Sequence, residues 1–228
     1  MREIGSRVEL FVDDWLIDRM RGVRRMLHAP ERREVVLAMT PPAESPGACY
    51  FNCFLDEGRL RLYYRGVTAG GDDSPAQTVN LALSDDGIHF TRPAFGRYDC
   101  GGSTANNVVY RGADAHNFCV FRDDNPACPP AARYKAVGGG WEQLYGFVSP
   151  DGLHWRKLRE APLEANGTFD SLNVVYWDDR LKCYRMFSRY FTEGTWIRGI
   201  QSCTSPDFLH WSDPVPHDYG PGEPLEHY

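Results

Sequence analysis

Ser84-Asp85-Asp86-Gly87-Ile88-His89-Phe90 returns as Ser149-Pro150-Asp151-Gly152-Leu153-His154-Trp155 and again as Ser205-Pro206-Asp207-Phe208-Leu209-His210-Trp211. Each copy follows an apolar, strand-like run, supplies the small polar residues a turn needs, and ends on an aromatic that opens another run. Each copy therefore closes a hairpin. Upstream, Asn52, Asn117 and Asn173 each stand 32 residues before a motif serine and open a further apolar run. Between Asn and Ser lie a polar turn (Asp56-Glu57-Gly58, Asp123-Asp124-Asn125-Pro126, Asp178-Asp179) and a Tyr-containing strand (Leu62-Tyr63-Tyr64-Arg65, Tyr134-Lys135-Ala136-Val137, Tyr184-Arg185-Met186-Phe187). The unit reads as four strands, A to D.

Successive units start 65 and then 56 residues apart, close to the ~40–50 residues of common propeller repeats with loops added. The expected fold is all-β, a β-propeller of four-stranded antiparallel blades, because radial repetition protects the short strand edges. A sandwich would explain the strands but not the constant Asn-to-Ser spacing. The expected boundaries are 1–47 for an N-terminal strand and lead-in, 48–98 for blade 1, 99–162 for blade 2, 163–219 for blade 3 and 220–228 for the start of blade 4. Three units do not close a ring, so the sequence reads as a fragment of a five-bladed type, with Val8-Glu9-Leu10-Phe11-Val12 available to pair with a last blade.

Composition agrees with a folded β protein: 42% of the 228 residues are hydrophobic, and the 12 Tyr, 12 Phe and 6 Trp favour strands. A net charge of −6 argues against a nucleic-acid partner. The one basic cluster, Arg19 to Arg25 with Arg32 and Arg33, is interrupted by Asp18 and Glu31 and reads as a solvated face. No apolar run approaches the ~20 residues of a membrane span, so no membrane partner is expected. Met1 to Ser6 lacks a leader's apolar stretch, which suggests the cytoplasm, or an exported compartment had a leader been removed. Seven cysteines without a CxxC pair suggest neither disulfides nor a zinc knuckle.

Blade topology sorts the candidate chemistry. With strand A starting at the upper end, the A–B and C–D turns lie at the lower end, and the D-to-A connectors and B–C loops lie at the upper. Asp86, Asp151 and Asp123 are lower-end residues and read as turn builders. Asp114 and Asp170 each stand three residues before a marker Asn, whereas blade 1 has Cys49 there and Glu44 as its nearest upstream acid. Glu223 and Glu226 fall in the start of blade 4. Arg65 and Arg189 close strands B, and Glu142 and Glu193 lie in B–C loops. Glycoside hydrolysis needs two carboxylates across the scissile bond, and an Arg beside one could lower its pKa and bind a sugar hydroxyl. Asp170, Asp114, Glu226 and Glu223 are accordingly the catalytic candidates, Asp170 foremost. Arg65, Arg189, His116, Asn117, Asn173, Trp141 and Trp196 are the substrate-binding candidates, the tryptophans because both sit in B–C loops where a ring can stack on a sugar. One Asn per repeat can equally satisfy backbone groups. No metal site and no cofactor are expected, and phosphate-cradling or serine-hydrolase motifs are absent from the sequence.

The repeated Ser-x-Asp-x-x-His-aromatic hairpin resembles those of the five-bladed propellers of glycoside hydrolase families 32, 43, 68 and 130. His116-Asn117-Phe118, Phe121, Asp123, Asn125-Pro126 and Arg133-Tyr134-Lys135-Ala136 look most like uncharacterised bacterial family 32- or 43-like proteins. Leu10-Phe11-Val12-Asp13-Asp14, Phe169-Asp170-Ser171-x-Asn173 and Glu223-Pro224-Leu225-Glu226-His227 extend the similarity. It implies a carbohydrate substrate and three acids on successive inner strands: a nucleophile or base, a pKa-tuning Asp and a general acid. Blade 1 departs from that pattern, having no Asp at the start of its inner strand. A non-catalytic carbohydrate-binding or scaffold propeller and a glycoside phosphorylase are the alternatives, the latter with Arg65, Lys135 and Arg189 as phosphate ligands.

Overall fold

A computed structural model describes residues 3–5, 9–39, 42, 44, 47–67, 77–192, 194–218 and 220. The chain divides into Met1–Val35 and Val36–Tyr228. The described residues of the first unit contain no helix or strand, and most are exposed. Glu9–Val12, where a strand is expected, are not in a strand; Val8 lies outside the described residues.

The second unit holds three four-stranded antiparallel sheets, each a simple meander. The first contains β1 (Cys49–Asp56), β2 (Arg59–Val67), β3 (Gln77–Ser84) and β4 (Val108–Arg111). The second contains β5 (Cys119–Arg122), β6 (Tyr134–Gly139), β7 (Leu144–Ser149) and β8 (Arg156–Lys157). The third contains β9 (Val174–Asp178), β10 (Cys183–Phe191), β11 (Arg198–Ser205) and β12 (Val215–Pro216). The sheets pack face to face in series with their first strands neighbouring, as propeller blades do. Asn52 on β1 donates to the Val120 carbonyl on β5 and accepts the Val120 N–H at 3.2 Å. Tyr63, Val79, Phe118, Val120 and Phe147 form the core between blades 1 and 2; Phe121, Val137, Tyr184, Met186 and Phe208 form that between blades 2 and 3. Each fully buried ring contributes about 1.5–3 kcal/mol.

Two sequence expectations change. Blade 1 does not end at residue 98: Thr91 pairs with Leu83 where strand D should begin, residues 92–106 then leave the sheet, and β4 resumes the ladder against β3. The detour is anchored by Arg92, whose Nε lies 2.8 Å from the buried Glu44 carboxylate, and by Asn107, whose side chain donates to Tyr64 Oη at 2.9 Å and the Leu81 carbonyl at 3.1 Å. The marker asparagines are also not equivalent in the ladder. Ser84, Ser149 and Ser205 pair with Leu60, Tyr134 and Tyr184, which pair with Leu55, Arg122 and Trp177. Those residues follow Asn52, Asn117 and Asn173 by different intervals, and unequal A–B turns are offset by unequal B–C stretches, the longest A–B turn (blade 2) going with the shortest B–C stretch, to give the constant sequence spacing.

The motif serines, by contrast, build one turn three times. Ser84, Ser149 and Ser205 each accept, at 2.9 Å, the N–H three residues on. Asp86, Asp151 and Asp207 each accept the next two N–H groups but one and the Nδ1 of His89, His154 and His210. The residue after the aspartate has φ of 80°, 76° and 70° in Gly87, Gly152 and Phe208. A side chain on Gly152 would put Cβ 2.4 Å from Tyr63 Oη. Phe208 finds room for its ring because blade 2 has Val137 at the ladder position where blade 1 has Tyr63, and its burial there offsets the ~1–2 kcal/mol cost of the left-handed backbone.

Candidate functional site

At the upper end, the strand-B position five residues beyond the partner of each motif serine is Arg65, Gly139 and Arg189 in the three blades. Both arginines are only 5% exposed. Arg189 forms an ion pair with Asp170, and its guanidinium lies 4.4 Å from the Phe191 ring centroid and 5.6 Å from that of Trp141. The period of two along β10 puts Arg189 and Phe191 on one face. Trp141 and Phe191 stack with centroids 5.9 Å apart, and Trp196 meets Phe191 edge-on at 5.2 Å. Trp141 is 48% and Trp196 76% exposed, so an ion pair with a buried arginine and a half-buried aspartate sits beneath an open aromatic ledge.

Arg65 reaches the same neighbourhood from blade 1. Its guanidinium lies 5.1 Å from the Tyr50 ring centroid, and the Tyr50 hydroxyl donates to the Asp170 carbonyl at 3.1 Å. Tyr50 sits at φ 56° within the β1 irregularity, a conformation that costs a non-glycine residue on the order of 1 kcal/mol and collects at functional sites. His116 packs 5.6 Å from the Tyr50 ring. Its Nδ1 faces Arg65 Nη1 at 3.0 Å and Gln77 Nε2 at 3.2 Å. Both neighbours are donors, so Nδ1 accepts and the ring proton resides on Nε2.

Asp114 is placed differently. It lies in a 3₁₀ turn, Ala113–Ala115, and pairs at 2.9 Å with Lys157 on the outermost strand of blade 2. Lys157 in turn sits 4.0 Å from the Tyr145 ring centroid. The two expected acids thus answer to different cations: Asp170 to an arginine on the second strand, Asp114 to a lysine at the blade's edge. Trp141 links them, because its carbonyl accepts the Phe169 N–H at 2.8 Å beside Asp170 and its side chain lines a cavity with Asp114.

Asn117 and Asn173 are corrected from substrate-binding to structural: both are 0% exposed. Asn117 donates to the Phe169 and Ser171 carbonyls and accepts the Gly139 N–H at 2.8 Å; Asn173 donates to the same two carbonyls at 3.0 and 2.9 Å. They satisfy the backbone of the connector that carries Asp170 and offer no surface to a ligand. Glu44 is likewise buried under Tyr64 and Arg92. At the lower end Asp123 binds Lys135 and Tyr184 and takes no part in the upper rim. Glu193, Glu223 and Glu226 lie outside the described residues. Among the described residues no group of three or more His, Cys, Asp or Glu side chains could hold a metal ion. Sequence reading missed Phe191 as a partner of Arg189 and Gln77 as a partner of His116; alternation along β10 would have revealed the first, but Gln77 lies beside His116 only through the fold.

No protein-family model matches the sequence, and no curated protein does. Solved structures do. An N-acetylgalactosamine deacetylase from F. plautii, in complex with blood group B trisaccharide, is similar with a TM-score of 0.55 at 15% identity, over 78% of this chain and 56% of that one. A fructofuranosidase from Schwanniomyces occidentalis, complexed with fructosylnystose, is similar with a TM-score of 0.51 at 15% identity, over 82% of this chain and 39% of that one. The chain thus spans about half or less of these proteins. The likeness is one of fold: the chain has a β-propeller fold in common with these structures.

Proposed function

We propose that the upper end of the blades is a glycan site and that the chain belongs to a carbohydrate-processing enzyme acting on glycosidic bonds. The observation that carries this is the Asp170–Arg189 pair beneath the Trp141–Phe191–Trp196 ledge. Exposed indole faces stack on the apolar face of a sugar ring, and a carboxylate and a guanidinium below them suit its hydroxyls. A carboxylate held by a guanidinium accepts hydrogen bonds, so Asp170 suits the base or cation-stabilising role of an oxocarbenium-like transition state. A second acid must then protonate the leaving oxygen, and Glu226 and Glu223 remain the proposed donors. Tyr50 and Arg65 brace the Asp170 connector from blade 1.

The test is a panel of neutral and acidic oligosaccharides incubated with the chain and with Asp170→Asn, with products separated by anion-exchange chromatography. Removing the carboxylate should lower turnover of any cleaved glycan by at least about 100-fold. Unchanged turnover in Asp170→Asn overturns the assignment. Binding without cleavage by the unaltered chain would favour the carbohydrate-binding reading, and phosphate-dependent cleavage the phosphorylase.

A further inference from the structure

The substitution of Gly139 for the arginines of the neighbouring blades removes a side chain from the upper end of blade 2. Gly140 follows, so the floor there is bare backbone. A cavity of about 460 Å³ opens over it, with Asp114 and Glu142 on its walls beside the aromatic rings of Trp141 and Tyr145. That volume lies within the range of small-molecule sites. Neighbouring glycines keep the geometry: a Cβ on Gly138 would stand 2.4 Å from the Asp114 carbonyl, and one on Gly139 2.1 Å from the Gln143 carbonyl. Only bare backbone lets the Asp114 turn and the Trp141 loop approach this closely.

We infer that this cavity is a distinct subsite for one uncharged sugar ring, stacked on Trp141 with hydroxyls on Asp114 and Glu142. The inference rests on the glycan reading of the upper end. Asp114 is held in place by Lys157 at 2.9 Å and by a hydrogen bond with the Tyr110 hydroxyl, and a carboxylate with two such partners still keeps acceptor positions for hydroxyls. Two carboxylates line the cavity, and the Lys157 ammonium is engaged with Asp114 and with the Tyr145 ring. An anionic sugar would meet like charge there, which costs affinity and selects against uronates. A glycan seated over Asp170 could place a neighbouring residue here, since Trp141 borders both.

Gly140 supplies a clean test. A Cβ there meets no atom within 4 Å, and its φ is not in the left-handed region, so a side chain fits without strain and blocks the cavity. Saturation-transfer NMR with galactose, N-acetylgalactosamine, mannose and galacturonate would be run on the full chain, Gly140→Phe, Trp141→Ala and Asp170→Asn. At least one uncharged sugar should give a signal, galacturonate should not, and either cavity variant should weaken binding by about tenfold or more. Asp170→Asn should leave that signal intact while abolishing turnover, which separates this subsite from the proposed chemistry. Should turnover be lacking while the Gly140→Phe-sensitive signal persists, the enzymatic reading falls and the subsite stands. No sugar signal, galacturonate binding as well as galactose, or uncharged-sugar affinity within about twofold in both cavity variants overturns the subsite whatever the turnover result.

Discussion

At the lower end of the blades, Ser84, Ser149 and Ser205 make the same 2.9 Å hydrogen bond, whereas the matching upper strand ends carry Arg65, Gly139 and Arg189. The same three sheets are uniform at one end and individual at the other. Uniform wiring is what a frame requires: each Ser-Asp turn satisfies its own backbone locally, and the blade 2 turn also docks on blade 1, where Arg61 lies 3.0 Å from the Asp151 carbonyl and Tyr63 donates to that of Gly152 at 3.1 Å. Individual chemistry is what a ligand requires, because each side of a bound molecule presents different groups. Left-handed non-glycine backbone occurs at both ends: Glu57, Lys182 and Phe208 adopt it in lower turns, and Tyr50 adopts it at the upper end with its hydroxyl on the Asp170 connector.

The largest effect expected from breaking this contrast is at Phe208. Phe208→Gly relieves a left-handed backbone but empties a fully buried ring site against Phe121 and Tyr184. The net cost should be about 3 kcal/mol, the cavity penalty less the conformational gain, read by urea denaturation, with sugar binding at the upper end unchanged in the folded protein.

A smaller effect is expected at Asp151. Partial burial pushes its carboxyl up, but hydrogen bonds from the His154 and Leu153 N–H groups, the His154 ring and Ser149 outweigh this and hold it well below the ordinary range. A group depressed in the folded state contributes stability above its unfolded pKa of about 3.9 and loses it as pH falls towards the folded value. Asp151→Ala should therefore cost about 1 kcal/mol at pH 7, discounted for the turn's exposure. The difference from the unaltered chain should shrink in melts taken below pH 4.

The smallest change in stability is expected at Trp196, which is 76% exposed. Trp196→Ala should alter the unfolding free energy by no more than about 0.5 kcal/mol, while sugar binding, read by titration calorimetry, weakens. A large loss of stability there would mean that the ledge is part of the frame.

The lower end was legible in the sequence because its turns are local: Ser, Asp and His interact within six residues, so the motif and its wiring coincide. The strand meander followed from the same signal. The upper end was legible only in part. Asp170, Arg189, Trp141 and Trp196 could be placed at the upper end from their positions before strand A or after strand B, but their grouping depends on contacts across blades. Asn117 and Asn173 misled because the spacing that singled them out arises from compensating turn lengths, and their side chains bond to backbone. The end of blade 1 was misplaced because residues 92–106 interrupt a strand whose two halves are continuous only in the ladder. Asp114 was found as an upper-end acid, but its lysine lies at the far edge of the sheet, which no local pattern encodes.

One paired measurement tests the division most directly: turnover of a cleaved oligosaccharide and urea unfolding, taken side by side for Asp170→Asn and Asp151→Asn. Turnover should fall at least about 100-fold in Asp170→Asn and stay within about twofold in folded Asp151→Asn, which should instead lose stability. Turnover lost equally in both, or retained in Asp170→Asn, would contradict a functional upper end carried on a structural lower one.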